Sequence, residues 1–368
     1  MRKVIILFFL VSVILTTGCS DREQTQPSLE DLALASSMGF DLGDHGEMKM
    51  TIGIPLPPND SPVPTQVFSI HTNMIQEGLV KLSSESDKMI VLNQLRTLLF
   101  SEEFARSGKV TEVVQHLYRD STLGNNVRLV IVKDDVEDVL SGNYSENEHM
   151  DAYLNDLFQP NLHNSFSPFT SIHDYMNTQT SPVYHTMIPY LEKKEDVLKI
   201  TKIALFDNKK MIDTISTEKS LLIQALSGVN KLSPISVTFH GNEIDKEAFL
   251  EQIDSKVKIS SNKSTETPKV AIELKIKAVL IEYKGDRDLT NSKQYKKLEK
   301  EINAHLKEEV EDTLQYLQEM ELDPVGISEY FRMYYKGKWT EELTRKVTSD
   351  LDYNVTVNLK IRNTGTLR

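Results

Sequence analysis

The alternation of apolar and polar positions predicts short strands and helices along the chain, followed by one long helix and a final strand. Between 67 and 132 strand patterns alternate with helical ones, and the helix predicted over 110–118 carries its valines and Leu117 on one face. The longest helical pattern covers 293–320. Its apolar positions are Leu298, Ile302, Leu306, Val310, Leu314, Leu317 and Met320. This spacing predicts an amphipathic helix lying across a sheet, because a coiled coil needs a sustained repeat of about 3.5 residues.

Strict alternation marks two strands of the carboxyl-terminal half. Residues 270–277 alternate cleanly, which predicts a sheet with one solvated face. The apolar phase then moves to Val279, Ile281 and Tyr283, and a bulge near Ala278 would account for this shift. Residues 353–361 alternate as well and predict a terminal strand. With 368 residues, the chain is longer than one core usually supports, so we predict an α+β protein of two or three domains with mixed sheets and packed helices.

The amino terminus has the order of a lipoprotein signal. Arg2 and Lys3 precede an apolar run over 4–15, and small residues then lead to Gly18 and Cys19. This order predicts a signal peptide over 1–18 that is removed before Cys19. The thiol of Cys19 would then carry S-diacylglycerol, and the new amino terminus an N-acyl chain such as palmitate. A plain signal peptide and an uncut anchor are the alternatives, although spanning about 30 Å of hydrocarbon takes roughly 20 apolar residues.

Composition narrows the possible partners. The formal charge of −12 argues against nucleic acid as a partner and against electrostatic adhesion of the protein to an anionic lipid surface. The acyl chains would hold the protein on the membrane instead. Cys19 is the single cysteine, so its lipidation would leave no thiol for a disulfide.

A search for catalytic motifs finds none. The sequence lacks a G-x-S-x-G elbow, an H-E-x-x-H pair and a phosphate-binding glycine loop. We therefore predict that the protein is not an enzyme, with no catalytic, cofactor-binding or metal-binding residue and no cofactor. His163, His173 and His185, together with Asp174, are spaced too widely for a compact zinc motif, and the three histidines are interpreted as exposed loop residues.

Other polar residues have simple structural interpretations. An acidic group could form a cation site, but it is interpreted as the complement of the positive end of a helix. Its members are Asp134, Asp135, Glu137 and Asp138. Asp286 and Asp288 lack the remaining ligands of a calcium loop and are assigned to a turn. Turn, packing or salt-bridge roles are predicted for His45, His71 and Arg119.

Several short motifs occur in an order that resembles one known family. They are Gly18-Cys19 followed by Gly39-Phe40-Asp41, the run Glu102 to Gly108, Tyr118-Arg119-Asp120, Asp323-Pro324-Val325-Gly326, Trp339 and Thr364-Gly365. This order resembles the Ger(x)C family, the lipoprotein subunit of bacterial spore germinant receptors. The chain departs from the family pattern at three places. Ser20 stands where the family usually has Trp, and Ser328 stands where it usually has a second Gly. The second Trp that the family usually has near the position of Lys346 is missing.

The resemblance implies a function and a location. It implies a C-type subunit of a nutrient germinant receptor on the outer face of the spore inner membrane, acting with a permease-like subunit and a larger multi-spanning subunit. A charged break near Glu195 predicts domains over 19–195 and 196–368. A lipid-anchored solute-binding protein is the first alternative, and a cell-wall hydrolase is the second.

Overall fold

The structure is a computed structural model that describes residues 28–56, 65–142, 144, 150–158, 170–195, 197–239 and 246–362. The strands are β1 Leu32–Leu34, β2 Ser37–Leu42, β3 Met48–Pro55, β4 Thr65–Thr72, β5 Met89–Val91, β6 Thr97–Ser101, β7 Arg128–Val132, β8 Met187–Lys194, β9 Val197–Phe206, β10 Met211–Ile215, β11 Lys231–Leu232, β12 Ile235–Phe239, β13 Lys246–Ser261, β14 Lys269–Lys284 and β15 Asp352–Ile361. The helices are α1 Ile75–Glu85, α2 Glu102–Ser107, α3 Val110–Tyr118, α4 Val136–Leu140, α5 Met150–Phe158, α6 Ile172–Thr180, α7 Thr217–Leu226, α8 Ser292–Glu319, α9 Glu329–Arg332 and α10 Glu341–Ser349.

An eight-stranded mixed sheet organises the first half of the chain. Its strand order is β10-β9-β8-β7-β6-β2-β3-β4. The four central strands β8, β7, β6 and β2 run parallel to one another, whereas antiparallel hairpins form both ends of the sheet. Alternate residues of β6 enter two cores on opposite faces, with Leu98 and Phe100 in one and Leu99 in the other. A sheet covered on both faces explains why β6 and β7 are nearly continuous apolar runs.

The sheet continues past the sequence position at which a domain boundary is predicted. Glu195 lies at the turn between β8 and β9, and these two strands pair along their length from Met187 with Leu205 to Lys194 with Val197. Strands β9 and β10 therefore extend the sheet of the first half. The division at Glu195 stays a prediction from the sequence.

A five-stranded sheet and one long helix form the second half. The order is β11-β13-β14-β15, and β12 also pairs with β13. Helix α8 packs on β15 and β12, and its six buried apolar positions join the core beneath this sheet. These positions are Leu298, Ile302, Leu306, Val310, Leu314 and Leu317. The predicted helix across a sheet and the predicted terminal strand are both confirmed, and so is the α+β fold class.

The predicted change of phase in β14 is wrong. Ala278 and Leu280 are buried in the same alternation as the residues before them, whereas Ile281 is 38% exposed. Two register shifts lie between β13 and β14: β14 has an extra residue at Ile281, and β13 has an extra residue opposite Ala278. Near Ala278 the extra residue is on β13, so every second residue of β14 faces the core without a break from Val270 to Leu280, and Val279 does not replace Leu280 in the core.

A third sheet is much smaller than the other two. Strands β1 and β5 form a separate two-stranded parallel sheet. Among the described residues, no helix combines the length and apolar character needed to cross a membrane.

Candidate functional site

The acidic group at 134–138 forms the start of helix α4. The carboxylate of Asp135 accepts hydrogen bonds from the backbone N–H groups of Glu137 at 2.8 Å and Asp138 at 3.3 Å, so it caps the helix. Nζ of Lys49 lies 2.8 Å from a carboxylate oxygen of Asp135 and 2.8 Å from one of Glu137. The group thus complements a helix start, and a single lysine from the neighbouring hairpin forms ion pairs with two of its carboxylates.

A buried carboxylate that the sequence interpretation missed lies beside this group. Asp41, at the end of β2, is 6% exposed and accepts from the backbone N–H of Val136 at 3.0 Å and 3.2 Å. Burial raises the pKa of Asp41 to about 6, and the neighbouring charge of Asp135 acts in the same direction. The only signal in the sequence was the motif Gly39-Phe40-Asp41, which carries the family resemblance.

The other members of these amino-terminal motifs are packing residues. Phe40 lies 5.7 Å from Phe100 and 5.9 Å from Phe104 between ring centroids, and Phe100 lies 5.8 Å from Phe104. All three rings are fully buried. A Cβ atom at Gly39 would collide with the side chain of Val136, so a side chain there would push helix α4 off the sheet. The motifs therefore specify how two helices pack on β2 and β6.

Two of the three candidate histidines, His173 and His185, are described, and they lie in different surroundings. His163 lies outside the described residues. His173 is exposed as predicted, but it lies in helix α6 and not in a loop. Its ring nitrogens lie 3.0 Å from the hydroxyl of Tyr118 and 3.0 Å from the amide of Asn177. His185 is only 8% exposed, so its assignment to an exposed loop is wrong: the loop that holds it is covered by the carboxyl-terminal half. Within the described chain, no group of three or more His, Cys, Asp or Glu side chains has a geometry suited to a metal ion.

The remaining polar candidates have local roles. His45 lies in the turn between β2 and β3 with φ of 57°, and His71 is exposed on β4. Arg119 follows the last turn of α3 and is exposed. The carboxylate of Asp286 lies 2.9 Å from Nζ of Lys246, and a second local acceptor, Asp288, receives the backbone N–H of Thr290 at 3.0 Å. Asp286 thus pairs with a lysine of β13, and Asp288 supports the turn that precedes α8.

The most concentrated buried polar group joins the two halves of the chain. The carboxylate of Asp323 accepts three backbone N–H groups, from Gly326 at 2.8 Å, Ile327 at 2.8 Å and Ser328 at 2.6 Å. The backbone N–H of Asp323 donates to Nδ1 of His185 at 2.8 Å. Asp323 is 3% exposed, so its charge is balanced by these oriented donors rather than by solvent. This junction is built on the motif Asp323-Pro324-Val325-Gly326.

Neighbouring residues complete the junction. Nε1 of Trp339 donates to Oγ1 of Thr344 at 2.7 Å, and that hydroxyl donates to the backbone carbonyl of Pro182. Gly326 has φ of +81°, and the ring of Tyr184 lies where its Cβ would be. Ser328 has φ of −61°, which any residue adopts, so glycine is not needed at this departure from the family pattern. The segment 182–185 is therefore held against the turn that precedes α9 and against α10.

The fold and this junction define an α+β protein of two mixed sheets whose halves are joined by buried hydrogen bonds. A family profile described as "Spore germination protein N-terminal domain" matches residues 25–193, and one described as "Spore germination B3/ GerAC like, C-terminal" matches 201–365. The chain belongs to the Ger(x)C family of spore germination proteins.

Individual relatives match over nearly their whole length. The "Spore germination protein GerQC" of Bacillus cereus is 26% identical over 360 residues, covering 98% of each chain. The "Spore germination protein B3" of Bacillus subtilis (strain 168) is 23% identical, covering 99% of this chain and 98% of its own. The crystal structure of the GerBC protein shares the fold, with a TM-score of 0.57 at 18% identity, covering 89% of this chain and 97% of that one.

Proposed function

We propose that the protein is a non-catalytic C-type subunit of a spore germinant receptor, needed for the germination response to nutrients. The observation that carries this proposal is the match to both family profiles, over 25–193 and 201–365, together with relatives named as spore germination proteins that align from end to end. A match to only one of the two profiles would have left half of the chain free to carry a different activity. Here the family pattern covers almost all of it.

The polar chemistry of the described residues supports a non-catalytic role. The most buried acids, Asp41 and Asp323, are engaged by backbone N–H groups, and the buried His185 accepts one. These contacts hold a helix start and the junction, so the groups serve the fold. The subunit would act through its surfaces, and interface energy usually concentrates in a few anchor residues.

Attachment to the membrane is the second part of the proposal. Cys19 lies outside the described residues, and its lipidation is supported by the order of charged, apolar and small residues over 1–19. Removal of residues 1–18 would leave Cys19 with S-diacylglycerol and an N-acyl chain on the outer face of the spore inner membrane. The proposed partners are a permease-like subunit and a larger multi-spanning subunit, and the proposed domains are 19–195 and 196–368.

Deletion and complementation test the function. Spores lacking the protein should fail to respond, or respond slowly, to the nutrients of its own receptor, while agents that bypass receptors still trigger germination. The wild-type chain should restore the response, and so should His173→Ala and Asp134→Ala, because both residues are exposed and neither is assigned a bond-making role.

Two results would contradict the proposal. One is a normal nutrient response in spores that lack the protein and every paralogue of it. The other is purified protein that turns over peptidoglycan, which would favour the hydrolase, or that binds a free nutrient tightly without membrane subunits, which would favour the solute-binding protein.

A further inference from the structure

A short loop after helix α9 exposes large apolar side chains in succession. The last residue of α9 and the six that follow it, residues 332–338, are here called the Tyr334 loop, and all of them are exposed. Met333 is 58% exposed, Tyr334 54% and Tyr335 40%. Three large side chains that follow one another in the chain are thus left in solvent, whereas exposed apolar residues on most protein surfaces occur singly.

The loop is held in place by its own flanks. Phe331 before it is fully buried and Trp339 after it is 7% exposed. The ring of Tyr335 packs edge-on against that of Trp339, with centroids 5.5 Å apart and planes at 89°. The backbone N–H of Tyr334 donates to the carbonyl of Phe331 at 3.0 Å, and that of Tyr335 to Arg332 at 3.1 Å. The exposed side chains are therefore presented by an ordered turn with buried supports.

Cations surround these apolar side chains. Lys336 and Lys338 lie in the loop, and neither forms an ion pair with a carboxylate of the described chain. Nζ of Lys263, from the β13–β14 hairpin, lies 4.2 Å from the centroid of the Tyr334 ring. Arg332 is paired with Glu329 at 2.6 Å. On a chain with a formal charge of −12, this loop is locally cationic, so the charge of the whole protein does not describe it.

We propose that the Tyr334 loop inserts into the interfacial region of an anionic lipid bilayer. Tyrosine is enriched at membrane–water interfaces, and apolar side chains beside lysines bind the boundary between headgroups and acyl chains. Lysines near an anionic surface strengthen that binding. Protein–protein interfaces are also enriched in tyrosine and methionine, but they are depleted of lysine, so the lysines of the loop favour lipid over a protein partner. The loop would fix which face of the protein meets the membrane.

The inference extends the proposed membrane location. It is tested on protein that lacks the acyl chains of Cys19 and in the absence of the other receptor subunits. The chain beginning at Ser20, which lacks the signal segment and Cys19, is mixed with vesicles of phosphatidylglycerol and phosphatidylcholine, or of phosphatidylcholine alone. Sedimentation of the vesicles measures binding. Trp339 is the single tryptophan and packs on Tyr335, so its emission reports on the environment of the loop.

Wild-type protein should sediment with the anionic vesicles, and this binding should weaken as the salt concentration is raised. The tryptophan emission should shift when the protein binds. Lys336→Gln with Lys338→Gln should reduce partition by about twenty-five-fold, since each lysine near an anionic surface contributes about fivefold. Met333→Ser with Tyr334→Ser should reduce it on the order of tenfold. All four side chains are exposed, so the variants should melt at the wild-type temperature.

Two double variants serve as matched controls. Val80→Ser with Met89→Ser removes exposed apolar residues elsewhere, 70% and 53% exposed, and should leave vesicle binding unchanged. Lys256→Gln with Lys277→Gln removes two exposed lysines from the open face of the five-stranded sheet and should also leave it unchanged.

Three outcomes would overturn the proposal. The first is absence of binding to anionic vesicles at low salt. The second is binding that the sheet-face lysine variant abolishes while the loop variants retain it. The third is unchanged vesicle binding by loop variants that no longer co-purify with a membrane subunit, because the loop would then be a protein interface. A germination defect in the deletion strain alongside any of these results would leave the proposed function standing and reject only the membrane contact.

Discussion

The backbone N–H of Asp323 donates to Nδ1 of His185 at 2.8 Å, across a separation of 138 residues in the chain. The ring nitrogen must be an acceptor to receive this bond, so the imidazole is neutral with its proton on Nε2. On the other side, the carboxylate of Asp323 holds three N–H groups of the turn that follows. One residue thus fixes the turn before α9 and also connects it to the segment leading into β8.

The first prediction concerns the carboxylate of Asp323. Asp323→Ala would leave three buried N–H groups without their acceptor, and each such loss costs about 1 to 3 kcal/mol. We expect the free energy of unfolding in urea to fall by several kcal/mol. Asp323→Asn keeps one acceptor oxygen and should cost less. Asp288→Ala is the matched control, because that acid accepts similar local bonds while exposed to solvent. Equal stability of the Asp323→Ala and control variants would contradict the role assigned to the junction.

The second prediction concerns pH and His185. Burial lowers the pKa of His185 below the ordinary value of 6.5. The unfolded chain therefore takes up this proton at a higher pH than the folded chain does. The contribution of the neutral ring to stability is complete above 6.5 and is lost as the pH falls below it toward the folded pKa. The melting temperature of wild type relative to His185→Gln should therefore fall between pH 7.5 and 5; Asp41, which titrates with the opposite sign in this range, is present in both proteins and cancels in the difference. An identical slope in wild type and variant would show that another group is responsible.

The third prediction concerns Asp41, and it has the opposite sign. Its folded pKa of about 6 lies above the ordinary 3.8, so its contribution is complete below 3.8 and is lost as the pH rises through 6. Asp41→Asn mimics the protonated acid and retains an acceptor for the N–H of Val136. We expect the variant to be more stable than wild type by about 3 kcal/mol at pH 8, and about equal to it near pH 3.5. Asp41→Ala, which removes the acceptor, should be destabilised at both values. A loss of stability in Asp41→Asn at pH 8 would mean that the buried charge is favourable.

Local patterns in the sequence predicted the elements well, whereas contacts between distant segments could not be predicted. The stripe from Leu298 to Leu317 repeats within one helix, so its burial follows from spacing alone. The run Val279-Leu280-Ile281 is apolar at every position, so either phase of the strand fits the sequence. Packing selects Leu280, which lies in the core beneath the sheet.

The junction shows the same limit more sharply. His185 lies between a proline and a strand, a context that favours a solvent-exposed loop, and nothing near it in the chain indicates that Asp323 will cover it. Asp323 itself was visible as part of a family motif, but the motif did not reveal its partner. The same holds for Asp41 and Val136, which meet across 95 residues.

The fourth prediction concerns the long helix. Leu306 is 4% exposed, so Leu306→Asp would place a carboxylate in the core beneath the sheet. The lost apolar burial and the cost of desolvating the charge should together lower stability by several kcal/mol. The control is Ala304→Asp, which adds the same group two residues away at an exposed position and should cost well under 1 kcal/mol. We expect a markedly lower melting temperature for the first variant alone. Similar midpoints for both would mean that Leu306 is not part of the core.

The last prediction concerns the proposed anchor at Cys19. If this residue carries lipid, Cys19→Ala should abolish labelling by fatty acid and leave residues 1–18 uncleaved by the lipoprotein pathway. Each buried CH₂ of an acyl chain contributes about 0.8 kcal/mol to membrane binding. If a different peptidase removes the signal segment of the Cys19→Ala variant, the remaining protein lacks these chains and should move from the membrane fraction to the soluble one. Ser20→Ala, at the adjacent position, preserves the thiol and should be labelled and retained like wild type. A wild-type protein that takes up no fatty acid, or a Cys19→Ala variant that is labelled as strongly, would show that Cys19 is not the attachment site.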